Sequence, residues 1–240
     1  MWTSDTAYDN FMGRFSARLA PVFADFAGID AGSRVLDVGA GTGALTAELV
    51  RRGAQVAAAE PSPAFVAALH ERFGGVDARR AVAEDLPWPD ESFDAALAQL
   101  VVAFMDDAPA GVREMRRVAG TVAVCMWDRE NMEMLAAINR TRDALGMPRE
   151  DSRFRSRAEI EELLGDGAES ELLAVDAGYA DFEDFWTALV GGAGPAGVWA
   201  SSLEGEQRAT ARAELFRQLD EPDGPFTLTG RAWASRLRPA

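Results

Sequence analysis

From Ser33 onward, short apolar runs bounded by turn residues alternate with stretches of helical spacing. This alternation predicts βαβ units and a mostly parallel sheet. The apolar runs place strands at 34–38, 55–59, 92–105 (its first part), 121–127 and 172–177, with a weaker edge strand at 77–81. Helical spacing predicts helices at 44–52, 63–73, 109–118, 131–145, 157–164, 182–190 and 204–219. Ser62 and Pro63 supply start signals for the helix at 63–73, and Asp106 or Asp107 before Pro109 does the same for the helix at 109–118. Upstream, Phe11, Phe15, Leu19, Val22, Phe23 and Phe26 recur at helical intervals, so 8–27 reads as one or two amphipathic helices. FTLTGRAWASRL reads as a last strand with no helix-sized crossover after it, and such a strand suits an antiparallel insertion. GGAGPAG, 191–197, reads as a flexible loop.

Composition narrows the class. The 240 residues, 48% of them hydrophobic, suffice for one substantial domain with a small cap. Acidic residues outnumber basic ones by 39 to 24, for a net charge of -15, and every basic residue is Arg. Nucleic acid and anionic membrane are therefore not expected as partners, because both would be repelled. The single Cys125 excludes an intrachain disulfide and reads as a buried strand residue. The sequence lacks a signal-peptide pattern at its start and any run of ~18 apolar residues, so a cytoplasmic protein is expected. His70 falls on the polar side of a helix whose apolar face is Phe65, Val66, Leu69 and Phe73, and no metal-ligand cluster is expected.

The chemistry gathers at VLDVGAGTG, 35–43. Gly39, Gly41 and Gly43 follow the first strand, where a ligand binds beyond the carboxyl ends of an open α/β sheet. Gly39, Gly41 and Ala44 also satisfy the G-x-G-x-x-A pattern of NAD-binding turns, and Glu60 would suit a ribose diol in either case. Two features favour S-adenosylmethionine. Asp37 places a carboxylate at the mouth of the turn, where it would repel a pyrophosphate and attract the ammonium of an amino-acid-bearing cofactor. In AEDLPWPDESFD, 83–94, Asp85 precedes Leu86 and Pro87, an acid to accept from an adenine amino group and an apolar residue to pack on the ring.

Asp37 to Gly43, Glu60-Pro61-Ser62, Ala83-Glu84-Asp85-Leu86-Pro87 and Ser92-Phe93-Asp94-Ala95, in this order and spacing, resemble the class I S-adenosylmethionine-dependent methyltransferases. The nearest group is the type 11 small-molecule branch, similar to the ubiquinone and menaquinone C-methyltransferases. The resemblance implies a Rossmann-like α/β fold: a seven-stranded sheet of order 3-2-1-4-5-7-6, strand 7 antiparallel, with helices on both faces and a small helical cap. Carried over by position, it implies a cofactor site of Asp37, Gly39, Gly41, Glu60 and Pro61, with Glu84, Asp85 and Leu86 at the adenine edge and Gln99 at the methionine end. YDNFMGR adds Tyr8 and Arg14 as residues closing over the cofactor, Arg14 pairing with its carboxylate. The sequence departs from the family before the fifth strand, where Ala119-Gly120 replace a longer turn, and after the fourth, where a frequent His is absent.

The expected organisation is a single methyltransferase domain over 1–240: N-terminal helices at 1–30, a cofactor-binding core at 31–127, and cap insertions at 128–155 and 181–221. The expected reaction is in-line transfer of the sulfonium methyl to a small organic acceptor. The alternatives are a noncatalytic S-adenosylmethionine-binding protein and an NAD-dependent oxidoreductase. No catalytic residue stands out; Tyr8, Asp128 and Glu130 lie nearer the acceptor side but also suit helix starts. Trp127, Met132, Met134, Phe182, Phe185, Trp186 and Trp199 are either an acceptor pocket or core. Arg149, Arg153, Arg155 and Arg157 are either an anion-recruiting group or a solvated linker. The assembly, monomer or homodimer, is not legible.

Overall fold

The apolar run at 34–38 becomes strand β1 (Arg34–Val38), exposed at Arg34 and buried from Val35 onward. A strand covered on both faces must be apolar nearly throughout, as expected at the centre of a parallel sheet. In the computed structural model, which describes residues 10–149, 153–154, 156–192 and 194–239, helix α1 (Gly13–Ala27) precedes it. Then follow α2 (Ala44–Arg51), β2 (Gln55–Glu60), α3 (Pro63–Arg72), β3 (Asp77–Arg80) and β4 (Phe93–Gln99). The next elements are a 3-10 turn at Val102–Phe104, α4 (Ala108–Val118), β5 (Ala119–Trp127), α5 (Glu133–Ala144) and α6 (Arg157–Leu164). The chain closes with β6 (Glu169–Tyr179), α7 (Phe182–Gly191), α8 (Gly194–Ser202), α9 (Gly205–Gln218) and β7 (Phe226–Leu237).

The described strands form a seven-stranded sheet of order β3-β2-β1-β4-β5-β7-β6, as the resemblance implied. β1 pairs in parallel with β2 and β4, β3 in parallel with β2, and β5 in parallel with β4, whereas β7 runs antiparallel to β5. The weak strand is the edge: in β3 only Ala78 is buried, and charged side chains occupy the other positions. In β4 the buried run Ala95, Ala96, Leu97, Ala98 carries the centre of the sheet. The antiparallel register, Val122 opposite Leu237 through Trp127 opposite Ala232, is what the alternating closing run requires.

By packing, the described residues fall into two compact units. One takes its residues from 19–127, 153–173 and 232–240, the other from 1–18, 128–152 and 174–231. The core of the first brings Leu36, Val38, Ala96 and Val124 from the strands together with Val112, Met115 and Val118 of α4. The second contains an aromatic cluster: Phe182 meets Phe216 edge to face at 5.0 Å, and Tyr179 stacks on Phe226 at 5.4 Å. No helix among the described residues is long and apolar enough to cross a membrane.

Two local expectations are corrected. The stretch 191–197 is not simply a loop, because α8 begins at Gly194. Its glycines serve close backbone approach: a Cβ on Gly197 would lie 2.0 Å from the Gly192 carbonyl oxygen. The turn before β5 is not merely shortened, since α4 ends at Val118 and β5 starts at Ala119. Cys125 is buried in β5, where burial pushes its thiol up, and His70 is exposed.

Candidate functional site

At the carboxyl end of β1 the chain turns through Gly39, Gly41 and Gly43, all with positive φ (71°, 54° and 86°), before α2 begins. Two of these glycines are required by contact as well as by conformation. A Cβ on Gly39 would lie 2.5 Å from Val101 Cγ1, and one on Gly43 would lie 2.7 Å from the Phe73 ring. At Gly41 the nearest atom would be the turn's own Gly39 oxygen at 4.0 Å, so this glycine faces open space, where a ligand can approach the backbone.

The N–H groups of the turn are largely committed within the protein. Gly39 and Ala40 donate to the Ala59 carbonyl at 2.8 and 3.2 Å, and Gly43 donates to Ala40 at 2.9 Å. Gly41 donates to Glu60 Oε2 at 2.9 Å, and Ser62 donates to Glu60 Oε1 at 2.9 Å. A pyrophosphate needs such donors free. Here a carboxylate already takes the one on the open glycine. Glu60 is thereby fixed at the end of β2, and each oxygen retains lone-pair capacity for a hydroxyl. Burial raises its pKa, while the two N–H donors work against that rise.

Asp37, one residue before the end of β1, is 1% exposed and accepts from Thr46 Oγ1 at 2.6 Å. Burial pushes its pKa up to about 7, the Thr46 hydroxyl and backbone N–H pull it down, and the charge of Glu60 adds to the rise. Sequence reasoning missed Thr46. The signal was a hydroxyl in the first turn of the helix that the glycine turn opens.

Beyond β3, the loop is held from α4. Glu114 Oε2 accepts from the Leu86 N–H at 3.1 Å, and Arg117 donates to the Leu86 and Trp88 carbonyls at 2.9 and 2.8 Å. Glu84 accepts from the Asp107 N–H at 3.0 Å, while the Asp107 side chain caps α4 by accepting from Ala110. Asp85 is exposed. Leu86, only 3% exposed, lies in the core with Trp88, Phe93 and Val112 and anchors the loop. Val82, two residues past β3, is a large apolar side chain left substantially exposed. Pro61 is exposed between β2 and α3, with its carbonyl accepting from Arg80 Nε, and Gln99 is half-buried at the end of β4.

Asp37, Gly39, Gly41, Glu60, Pro61, Glu84, Asp85 and Gln99 thus sit at or just beyond the carboxyl ends of β1 to β4, within one unit. Arg14 belongs to the other unit and is engaged there. Its Nη1 and Nη2 meet Asp184 at 2.8 and 2.7 Å, and its guanidinium lies 4.8 Å over the Tyr179 ring. That ion pair takes the fork expected to hold a cofactor carboxylate. Tyr8 lies outside the described residues.

Several residues named for the acceptor side lie in the core or just ahead of α5. Met132, Met134 and Phe185 are fully buried, and Phe182, Trp186 and Trp127 nearly so. Asp128 accepts from the Asn131 N–H and Nδ2. Arg149 pairs with Asp143 and Arg157 with Glu161, Arg153 donates to the Met105 carbonyl, and Arg155 lies outside the described residues. The three described arginines of this run are thus each engaged within the protein. Among the described residues, no group of three or more His, Cys, Asp or Glu is placed to hold a metal.

Comparison with known proteins agrees with this fold. Residues 36–124 match the family model described as methyltransferase domain. The chain is 32% identical over 161 residues to an uncharacterized protein of Mycobacterium tuberculosis, covering 63% of this chain and 59% of that one. It is 36% identical over 101 residues to demethylmenaquinone methyltransferase of Clavibacter sepedonicus, covering 40% and 41% of the two chains. A candidate type II methyltransferase from Anaeromyxobacter dehalogenans shares the fold, with a TM-score of 0.65 at 21% identity and coverage of 92% and 97%. The chain spans about three fifths of the length of the M. tuberculosis relative and less than half of the C. sepedonicus one.

Proposed function

We propose, on the premise that this chain carries a class I methyltransferase domain, that it transfers a methyl group from S-adenosylmethionine to a small organic acceptor. The observation that carries the reading is Glu60 seated on the Gly41 N–H: the turn is closed to a pyrophosphate and offers carboxylates instead. Those carboxylates suit a ligand with ribose hydroxyls and a cationic end.

S-adenosylmethionine, when bound, supplies a methyl already activated on a sulfonium, so alignment is the protein's main task. Glu60 would accept from the ribose hydroxyls, Gly41 would admit the ligand to the backbone, and Asp37 would supply negative charge to its amino-acid end. Glu84 and Asp85 would serve the adenine edge, and Gln99 the methionine end. No side chain is named as a base, and none is needed where the acceptor ionises by itself. The acceptor is a small molecule and the setting cytoplasmic, where the cofactor is available. The net charge of -15 disfavours nucleic acid and anionic membrane.

The test is turnover across a panel of phenols, carboxylic acids, amines and quinone precursors, with S-adenosylhomocysteine formation as the readout. Cofactor-dependent product on at least one class supports the reading. Tight S-adenosylmethionine binding with no turnover on any class would support a noncatalytic binding protein instead.

A further inference from the structure

We propose that Asp37 is a neutral carboxyl in the cofactor-free protein and loses its proton when the cationic amino-acid end of S-adenosylmethionine binds at the glycine turn. The inference rests on the cofactor reading above and adds a proton to its binding equilibrium.

The surroundings of Asp37 carry the argument. It is 1% exposed, and its strand neighbours across the sheet are apolar: Ala58 on β2 and Leu97 on β4 stand opposite it. From α2 it receives only Thr46, whose hydroxyl donates at 2.6 Å and whose backbone N–H also donates. Among the described residues no arginine forms an ion pair with it. The charged group that acts on it is Glu60, at the end of β2, and its negative charge opposes ionisation.

A carboxylate so enclosed, with two donors and no cation, is costly, and protonation is the usual escape. An arriving ammonium supplies the missing countercharge and reverses the balance. The carboxyl O–H bond then breaks, the electron pair stays on the Asp37 oxygen, and the proton passes to the buffer. Asp37 is thus neutral in the folded, cofactor-free protein and charged once the site is occupied. An Asn at this position would keep the Thr46 hydrogen bond but offer no charge to the ligand.

The test is calorimetry at pH 6.5 in buffers of different ionisation enthalpy, which reports protons released per ligand bound. With burial pushing the Asp37 carboxyl up to about 7, the wild type should release most of one proton, about 0.8, on binding S-adenosylmethionine or S-adenosylhomocysteine. It should release none on binding 5′-methylthioadenosine, which lacks the amino-acid end. Asp37→Asn should abolish the release. Thr46→Val, which removes a donor to the charged form, should move it to higher pH. Binding of S-adenosylmethionine to the wild type without proton release would overturn the proposal and leave the cofactor reading standing. Release that survives in Asp37→Asn would assign the proton to Glu60 and also overturn it. Failure of both S-adenosyl ligands to bind would remove the cofactor reading itself.

Discussion

Replacing Gly39 with alanine tests how tightly the glycine turn is enclosed, and its cost divides into two separable parts. The first is conformational: at φ 71° a residue with a Cβ loses roughly 1–2 kcal/mol against the ordinary helical or extended regions. The second is steric, because the new Cβ would lie 2.5 and 2.7 Å from the two γ-methyls of Val101, contacts that must relax by moving side chain or backbone. Overpacking of that kind costs about 1–3 kcal/mol. Gly39→Ala alone should therefore lower unfolding stability by about 2–5 kcal/mol. Val101→Ala removes only two methyls from a half-buried side chain and should cost about 1 kcal/mol.

The double variant should recover the steric part and keep the conformational part. Urea unfolding of the four proteins, analysed as a double-mutant cycle, should give a coupling energy of about 1–3 kcal/mol at an unchanged m-value. Additivity to within about 0.5 kcal/mol would mean that Val101 does not stand over the turn, and the close approach described above would be wrong. Cofactor affinity should fall in Gly39→Ala with or without Val101→Ala, because the methyl group stays in the turn in both.

Other expectations follow from the same contacts. Glu60→Ala removes the acceptor of the Gly41 and Ser62 N–H groups and the group expected to hold the ribose. It should weaken S-adenosylmethionine binding by about 1–3 kcal/mol, and unchanged affinity in a folded variant would take Glu60 out of the site. For Asp37, the folded pKa of about 7 lies above the ordinary value of 3.8, so the native state holds a proton that the unfolded chain has already lost. Stability from this group is full below about pH 4 and declines as pH rises toward 7, by at most about 4 kcal/mol. Asp37→Asn should flatten that decline and raise apo-protein stability at pH 8 in chemical denaturation; a wild type that loses nothing relative to the variant from pH 5 to 8 would refute this. Arg117→Ala should free the Leu86 and Trp88 carbonyls, cost about 1–3 kcal/mol, and speed amide exchange across 86–92. Exchange unchanged in that segment would show that Arg117 is not what holds it.

Much of the fold was legible because its signals are local. β1 begins and ends where its apolar run does, and α3 starts at the predicted Pro63. The glycine turn could be placed because positive φ needs glycine, and three glycines at spacing two leave few other readings. What escaped was set by contacts between distant residues. The burial of Leu86 was not legible because nothing local reveals that Glu114 and Arg117, about 30 residues on, draw its segment onto the core. GGAGPAG looked like a loop because helix propensity counts glycine against a helix, whereas the packing of Gly197 on the Gly192 carbonyl requires it. Arg14 looked free for a carboxylate because its partner, Asp184, is 170 residues away in the chain. The burial of Asp37 could be guessed from its strand, but Thr46 as its donor could not.

The most direct test of the central claim, that the turn after β1 takes an amino-acid-bearing adenosine cofactor and refuses a pyrophosphate, is side-by-side calorimetric titration with S-adenosylmethionine and NAD. The account predicts saturable binding of S-adenosylmethionine, with a Kd on the order of micromolar, and no detectable heat with NAD. Binding of NAD at that strength, with none of S-adenosylmethionine, would contradict it.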